Sequence, residues 1–247
     1  MDFRQGLFKA LKCYGDFSLA LSAYGGTPFF MADNEISLLL QEGAVQLGVS
    51  LSAEQVKCFT VYLRELNQWR KRINLSSRKD DREIIIKDFL DSLTIIKYLP
   101  LNTSFMDLGS GAGFPGIPLK IVRPDLKLLL LEATRKKVFF LKDVQRVLEL
   151  RVEIRWSGED RGIEDLSGIF DFVASRAFGF LLKFADEGIP FLKKGGILLA
   201  MKGKKGREEL EESLSSLEKM GLKLFFQEEI RLPYLNHERI LIGLKKD

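Results

Sequence analysis

Apolar residues recur at helical spacing through the first hundred residues of this sequence. Ser52-Ala-Glu-Gln55 has the pattern of a capping box, and the helix that it starts carries Val56, Phe59, Leu63, Leu66, Trp69 and Ile73 on one face. Shorter patterns predict a helix over about 35–47 and another that starts at Asp80 and Asp81 and stops at Pro100. We therefore predict a helical subdomain over residues 35–100, preceded by a loosely packed and partly disordered extension over residues 1–34.

From residue 104 onward the pattern changes to alternating strands and helices. The predicted strands lie near 104–109, 127–132, 151–157, 170–176, 195–202, 223–230 and 239–245, and the predicted helices near 116–123, 135–149, 179–192 and 206–220. Such alternation is typical of a mostly parallel sheet with helices on both faces. The last two strands are joined only by Pro233–Glu238, which is too short for a crossover helix, so that pair should be antiparallel. Residues 101–247 are thus predicted to form one α/β domain with a seven-stranded sheet.

A glycine turn, Gly109-Ser-Gly-Ala-Gly113, connects the first predicted strand to its helix. Glycine lets the backbone approach a ligand closely, and the amides of the helix start point toward the same ligand. The next strand ends at Glu132, where the ribose of a nucleotide would require an acidic residue. Asp107 precedes the glycines, and two roles stay open for it: contact with a charged group of the ligand, or capping of the turn.

Composition and charge narrow the classes of function. The 247 residues are 46% hydrophobic and 29% charged, with a net charge of +4, which permits an anionic partner without requiring one. Cys13 and Cys58 form no C-x-x-C motif, so we expect reduced thiols in a cytoplasmic protein. The single histidine, His237, argues against zinc clusters and against a Ser-His-Asp hydrolase. No apolar run approaches the roughly 20 residues of a membrane span.

Several longer motifs occur in a specific order along the chain. They are Trp69-Arg-Lys-Arg-Ile-Asn-Leu-Ser-Ser77, Asp88-Phe-Leu-Asp-Ser-Leu93, Asp107-Leu-Gly-Ser-Gly-Ala-Gly-Phe-Pro-Gly-Ile-Pro118, Lys136-Lys-Val-Phe-Phe-Leu141, Ser175-Arg-Ala-Phe178, Met201-Lys-Gly203 and Glu238-Arg-Ile-Leu241. On these motifs, residues 50–245 resemble the bacterial 16S ribosomal RNA guanine-N7 methyltransferases, the RsmG family, formerly called GidB. The family usually has histidine where this chain has Asp88, and often arginine where it has Ser157.

The resemblance implies a Rossmann-like class I methyltransferase fold whose last strand is antiparallel. It also implies S-adenosylmethionine as the methyl donor and N7 of a guanine in 16S ribosomal RNA, position 527 of that RNA, as the acceptor. The cofactor-binding residues that follow from it and from the glycine turn are Asp107, Gly109, Gly111, Gly113, Phe114, Glu132, Ala133, Thr134, Gly158, Glu159 and Arg176. Of these, Gly109 and Phe114 would line the methionine end of the donor, and Arg176 would lie where donor and RNA meet.

Basic side chains are the candidates for contact with the RNA or the small ribosomal subunit. They are Arg70, Lys71, Arg72, Arg78, Lys136, Lys202, Lys204, Lys205 and Arg239. Each basic group taken alone is also typical of a solvated face. Guanine N7 carries no proton, so no general base is assigned, and Asn74 and Arg176 are candidates only for positioning.

Other interpretations stay open at this point. They are a methyltransferase of another RNA or of a small molecule, a nucleotide-dependent oxidoreductase, and a non-catalytic RNA-binding protein with a vestigial donor pocket. We expect no metal and no membrane contact, and the proposed activity does not require an oligomer.

Overall fold

The computed structural model describes residues 28–75, 78, 80–158, 163–176, 178–235 and 238–247, with side chains except at 28–33 and 164. The predicted extension therefore lies largely outside the described residues, as do Glu159 and His237. Helix α1, Pro28–Gln46, starts earlier than the predicted position near residue 35, so the predicted boundary at residue 34 falls inside a helix. Proline suits a first helical turn because the N–H that it lacks would have no partner there.

Helix α2, Ala53–Trp69, starts with the predicted capping box. The amide of Gln55 donates to Ser52 Oγ at 3.2 Å, and the amide of Ser52 donates to Gln55 Oε1 at 2.9 Å. The inward side of this helix includes Phe59, Tyr62 and Leu66, which are fully buried or nearly so. The helical period that the sequence predicts for this segment is therefore present.

The segment after Asp80 differs from the single helix that its apolar pattern predicts. It consists of α3, Asp81–Ile84, a π-helical turn, Ile85–Leu90, and α4, Asp91–Leu93, followed by a 3₁₀ turn, Ile96–Tyr98. A π turn widens the helix by one residue per turn and is frequent at functional sites. Here it contains Asp88 and is followed directly by Asp91, and both carboxylates are buried.

Seven strands form one sheet in the order β3-β2-β1-β4-β5-β7-β6. Their bounds are β1 Ser104–Leu108, β2 Lys127–Glu132, β3 Glu153–Trp156, β4 Phe170–Arg176, β5 Leu192–Lys202, β6 Leu222–Arg231 and β7 Glu238–Lys246. Strands β1 to β5 are parallel, and β7 is antiparallel to both of its neighbours, β5 and β6. The predicted seven-stranded sheet with an antiparallel last strand is confirmed.

Helices cover both faces of the sheet. Successive residues of each strand point to opposite faces, so each strand contributes apolar side chains to both layers of helices. Phe105, Phe172 and Leu199 pack on the side of α2, of α5, Gly116–Val122, and of α6, Arg135–Val147. The residues that follow or precede them in the strands pack against α7, Leu181–Gly188, and α8, Gly206–Lys219. Because strands β1 to β5 are parallel, their carboxyl ends lie at the same edge of the sheet. The glycine turn, Glu132 and Arg176 are all at this edge.

Candidate active site

The glycine turn after β1 has the backbone conformation that its sequence predicts. Gly109, Gly111 and Gly113 have φ angles of 73°, 59° and 92°, in the left-handed region that favours glycine. A Cβ at Gly113 would lie 2.6 Å from Ile117 Cγ1, so packing also requires glycine there. A Cβ at Gly111 would meet nothing closer than a backbone oxygen at 3.9 Å, which leaves open space for a ligand above this residue.

The helical subdomain supports this turn from below. The hydroxyl of Tyr62, on α2, donates to the carbonyl of Ala112, and its ring packs at 5.3 Å from the ring of Phe89 and 5.7 Å from that of Phe114. Burial raises the pKa of the Tyr62 hydroxyl well above its ordinary value. Nothing in the local sequence pattern of α2 distinguishes Tyr62 from an ordinary core residue.

Glu132 lies directly beside the glycine turn. Its Oε2 accepts a hydrogen bond from the Gly111 amide at 2.7 Å, and its Oε1 accepts one from the Thr134 amide at 2.8 Å. The side chain is 5% exposed. Because a carboxylate oxygen has more than one acceptor position, these contacts leave capacity for hydroxyl donors of a ligand.

An exposed surface lies next to Glu132, at the ends of β2 and β3. Ala133 and Thr134 are exposed, as is Gly158. The indole nitrogen of Trp156 donates to the carbonyl of Ala133 at 2.7 Å, and a Cβ at Gly158 would lie 2.4 Å from the Trp156 ring. The predicted residues Ala133, Thr134 and Gly158 therefore flank one surface at the ends of β2 and β3, whereas Glu159 lies outside the described residues.

Asp107 is completely buried at the end of β1. Its Oδ2 accepts a hydrogen bond from the Gly116 amide, at the start of α5, at 2.8 Å. Its Oδ1 has no hydrogen-bond partner among the described residues, and burial raises the pKa of this carboxyl to about 7. Of the two roles left open by the sequence, the structure contains a capping contact, made to the helix start and not to the glycine amides. A contact with a ligand stays a prediction.

The raised pKa of Asp107 predicts a pH-dependent stability. The folded state holds this proton more tightly than the unfolded chain, so the stabilisation is complete below the unfolded pKa near 4 and is lost as pH rises through about 7. We expect the contribution of Asp107 to fall by about 2 kcal/mol between about pH 5 and 7, which urea unfolding of the parent and of Asp107→Asn at both pH values would measure. Parallel pH curves for the two proteins would contradict this expectation.

A cavity of about 500 Å³ opens between the glycine turn and the ends of β4 and β5. Its walls include Gly109–Ala112, Phe114, and the Met201–Gly203 segment. The charged residues that line it are Arg78, Asp88, Asp91, Arg176, Lys202 and Arg239. Glu132, Ala133, Thr134 and Gly158 are not part of this wall. Ala133, Thr134 and Gly158 form a more exposed surface at the ends of β2 and β3, and the buried Glu132 links that surface to the cavity through its contact with the Gly111 amide.

Buried ion pairs hold the arginines at the cavity wall. Arg176 Nη1 donates to Asp88 Oδ1 at 2.6 Å, and its guanidinium carbon lies 4.7 Å from the centre of the Phe114 ring. Arg239 Nε donates to Asp91 Oδ1 at 3.0 Å, and Asp91 Oδ2 lies 3.7 Å from Arg176 Nη1. Burial raises the pKa of Asp91, and the two neighbouring arginines oppose that rise.

The sequence pattern does not predict this network. No role follows from it for Asp91, and Asp88 stands out only as a departure from the family pattern. The available signal was two acidic residues, Asp88 and Asp91, three positions apart among the apolar residues of one helical segment, since carboxylates are rarely buried unless they are paired.

The predicted RNA-binding residues occupy different environments. Arg78 and Arg239 line the cavity, whereas Lys71, Arg72, Lys136, Lys204 and Lys205 are exposed. Arg70 Nη2 lies 3.6 Å from Asp81 Oδ1. The Lys202 ammonium is used internally, because it donates to the Gly179 carbonyl at 2.7 Å and to Glu209 at 3.0 Å. Asn74 is exposed beside Leu75, which lines the cavity.

Comparison with known families identifies the chain. A sequence model of the family described as rRNA small subunit methyltransferase G (GidB) matches residues 55–233. This chain belongs to that family. Two curated relatives named ribosomal RNA small subunit methyltransferase G illustrate the similarity: that of Geotalea uraniireducens is 41% identical over 212 residues (84% of this chain, 95% of the relative), and that of Acetivibrio thermocellus is 38% identical over 222 residues (87% and 91%). The resemblance inferred from the motifs is therefore confirmed.

Solved structures support the fold of this rRNA small subunit methyltransferase G family member. A methyltransferase from Pyrococcus furiosus matches with a TM-score of 0.55 and 14% identity, over 76% of this chain and 98% of that one. TYW2 of M. jannaschii, solved in complex with AdoMet, matches with a TM-score of 0.53 and 18% identity, over 72% and 80% of the two chains. The predicted class I methyltransferase fold is confirmed.

The described residues contain neither a candidate membrane span nor a candidate metal cluster. None of the helices there combines the length and the apolar character needed to cross a membrane. No cluster of three or more Cys, His, Asp or Glu side chains in the same part of the chain has an arrangement suited to a metal ion.

Proposed function

We propose that this protein transfers the methyl group of S-adenosylmethionine to N7 of a guanine in 16S ribosomal RNA. The observation that supports the proposal most strongly is the charged cavity beside the glycine turn, on the fold of a methyltransferase family. A substrate in ribosomal RNA implies that the protein acts in the cytoplasm, on the RNA or on the small subunit.

The residues at the sheet edge fit the methyl donor. The space above Gly111 is open and would be taken up by a Cβ at that position. Glu132, which lies beside this space, can accept further hydrogen bonds. In the proposed arrangement Gly109 and Phe114 contact the methionine end, Glu132 accepts from the ribose hydroxyls, and the exposed surface of Ala133, Thr134 and Gly158 holds the adenosine. Glu159, next to Gly158 in the chain, is proposed to flank the adenine. When bound, S-adenosylmethionine supplies an electrophilic methyl group on a sulfonium centre.

The chemistry requires orientation rather than proton transfer. Guanine N7 has an in-plane lone pair and no proton, so the protein needs only to align the base and to stabilise the charge that develops. Arg176 is suited to aligning the base, because Asp88 and Phe114 fix its planar guanidinium at the cavity wall. The carboxylates of Asp88 and Asp91 at the same wall, and not the arginine, have the sign that stabilises the positive charge acquired by the base. An arginine that donates to guanine O6 alone would align the base and leave the N7 lone pair free, whereas the common bidentate contact to O6 and N7 would block it.

The proposal is tested by methyl transfer with labelled S-adenosylmethionine to naked 16S RNA and to assembled small subunits, followed by mapping of the modified nucleotide. We expect label on N7 of one guanine. Label on another atom or base would contradict the acceptor assignment. Calorimetry with S-adenosylmethionine and with NADH tests the donor, and binding of NADH alone would contradict a methyltransferase.

Glu132 should contribute strongly to donor binding. Glu132→Ala removes an acceptor of ribose hydroxyls and also the acceptor for the Gly111 and Thr134 amides. We expect calorimetry to show S-adenosylmethionine binding weakened by roughly 1.5–3 kcal/mol, the range for hydrogen bonds to charged groups. Glu153→Ala, at the start of β3, is the matched control, since Glu153 is exposed and pairs with Arg155 on the surface. Equal donor affinity in the Glu132 and Glu153 variants would contradict this assignment.

A further inference from the structure

Phe180 is an exposed aromatic residue beside the cavity. It lies between β4 and α7 and is 78% exposed, although single phenylalanines of a folded protein are usually buried at least in part. Its neighbour in the chain, Gly179, lines the cavity wall. Phe178, two positions earlier, packs instead against Phe184 with ring centres 5.6 Å apart. The short segment thus directs one ring toward the core and the other toward solvent.

The backbone on both sides of Phe180 is fixed. The Lys202 ammonium donates to the Gly179 carbonyl at 2.7 Å, and the Leu181 amide donates to the Glu209 carboxylate. Lys202 and Glu209 also pair with each other at 3.0 Å, so β5 and α8 together hold the segment. A side chain on such a fixed backbone loses less conformational entropy when a partner binds.

The surroundings of Phe180 indicate a polyanionic partner. Lys204 and Lys205 are exposed two and three positions after Lys202, the last residue of β5, which itself donates to the Gly179 carbonyl next to Phe180. An aromatic ring with nearby cations is the combination with which proteins bind single-stranded nucleic acid, since rings stack on bases and cations contact phosphates. Single exposed apolar residues are common and need no explanation by themselves. The exposure of Phe180 does need an explanation, because its backbone is fixed and its neighbour Gly179 lines the cavity.

We infer that Phe180 is a stacking platform for an unpaired base of the RNA, next to the guanine that enters the cavity. The inference rests on the proposed function. Stacking on such a ring would hold the strand open at the mouth, because a base that reaches a recessed site must leave its own stack. The contact depends on a planar ring and not on charge or on sequence.

The test compares variants at position 180 by binding of 16S RNA in the presence of S-adenosylhomocysteine. Loss of stacking in Phe180→Ala should weaken RNA binding by about 5- to 150-fold. Phe180→Leu should weaken it nearly as much, because leucine is apolar but not planar, whereas Phe180→Trp should retain it. The salt dependence should stay unchanged in all three variants, while Lys204→Ala with Lys205→Ala should reduce its slope by about 0.7–0.9 for each lost phosphate contact.

Phe225→Ala is the matched control, since Phe225 is 58% exposed on β6 and does not line the cavity. Its RNA affinity should equal that of the parent, and donor affinity should be unchanged in every variant at position 180. The indole introduced by Phe180→Trp should be quenched by RNA beyond the response of Trp69 and Trp156 in the parent.

Unchanged RNA binding in Phe180→Ala, or full retention in Phe180→Leu, would overturn the inference. The parent protein, assayed in parallel for methyl transfer, reports separately on the proposed function. A parent that methylates 16S RNA while Phe180→Ala binds RNA normally contradicts only the platform. A parent that transfers no methyl group to this RNA contradicts the function itself.

Discussion

An RNA whose target guanine carries carbon in place of N7 is expected to bind this protein and to accept no methyl group. The replacement removes the only in-plane lone pair at that position and leaves the Watson–Crick edge and O6 unchanged. Because the described site is expected to contribute orientation and electrostatic stabilisation, it has no means of activating a carbon atom instead. The expected loss is therefore complete.

Single-turnover transfer with donor and RNA saturating measures this prediction, and binding of the modified RNA is measured in the same samples. The matched control RNA carries the same carbon replacement at a neighbouring purine and should be methylated at the parent rate. Methylation of the modified target would mean that another atom is the acceptor. Failure of the modified RNA to bind would instead place N7 among the groups recognised before the reaction.

The strands, the glycine turn and the position of Glu132 could be predicted because each depends on a short stretch of sequence. The φ angles of Gly109 and Gly113 follow from a tight connection between β1 and α5. The acidic residue at the end of β2 reaches the turn because adjacent parallel strands end at the same edge. At these positions the residue type and the local backbone geometry agree, so the sequence pattern was sufficient to predict the turn and the position of Glu132.

The charged wall of the cavity could not be predicted in the same way. Arg176 pairs with Asp88 across 88 positions of sequence, and Arg239 pairs with Asp91 across 148. Which charges become buried together depends on how the helical subdomain packs on the sheet, and the π turn at Ile85–Leu90 that precedes Asp91 has no counterpart in a pattern of period 3.6. Lys202 was predicted from the sequence to contact phosphate, and that contact stays a prediction. In the structure its ammonium donates to the Gly179 carbonyl and to Glu209, which the sequence did not predict.

Asp107 and Glu132 illustrate a further limit. Both were identified as candidates for ligand contact, and both accept hydrogen bonds from backbone amides of the site. A sequence pattern does not separate a carboxylate that contacts the ligand from one that shapes the backbone around it, because both roles require the same residue at the same strand end. Substitution at either position will therefore change stability as well as binding, and both quantities need to be measured.

Asp91→Ala is expected to destabilise the protein by roughly 3 kcal/mol, the lower end of the range for breaking a buried ion pair. The Asp91 side chain is 1% exposed and accepts from Arg239 at 3.0 Å. Its removal leaves Arg239 without this acceptor and Arg176 with Asp88 as its remaining carboxylate partner. Both arginines reach the cavity, where water can solvate them in part, which is why the lower end of the range applies.

Urea unfolding at neutral pH measures the change in the free energy of unfolding for Asp91→Ala. Asp165→Ala is the matched control, because the Asp165 side chain is 60% exposed and lies 3.3 Å from Arg155 in a surface pair, which contributes about 0–1 kcal/mol. Asp91→Asn should fall between the two, since its amide oxygen can still accept from Arg239 but carries no charge. A loss below about 1 kcal/mol in Asp91→Ala would mean that water replaces the carboxylate, and that the ion pairs position the arginines without stabilising the fold.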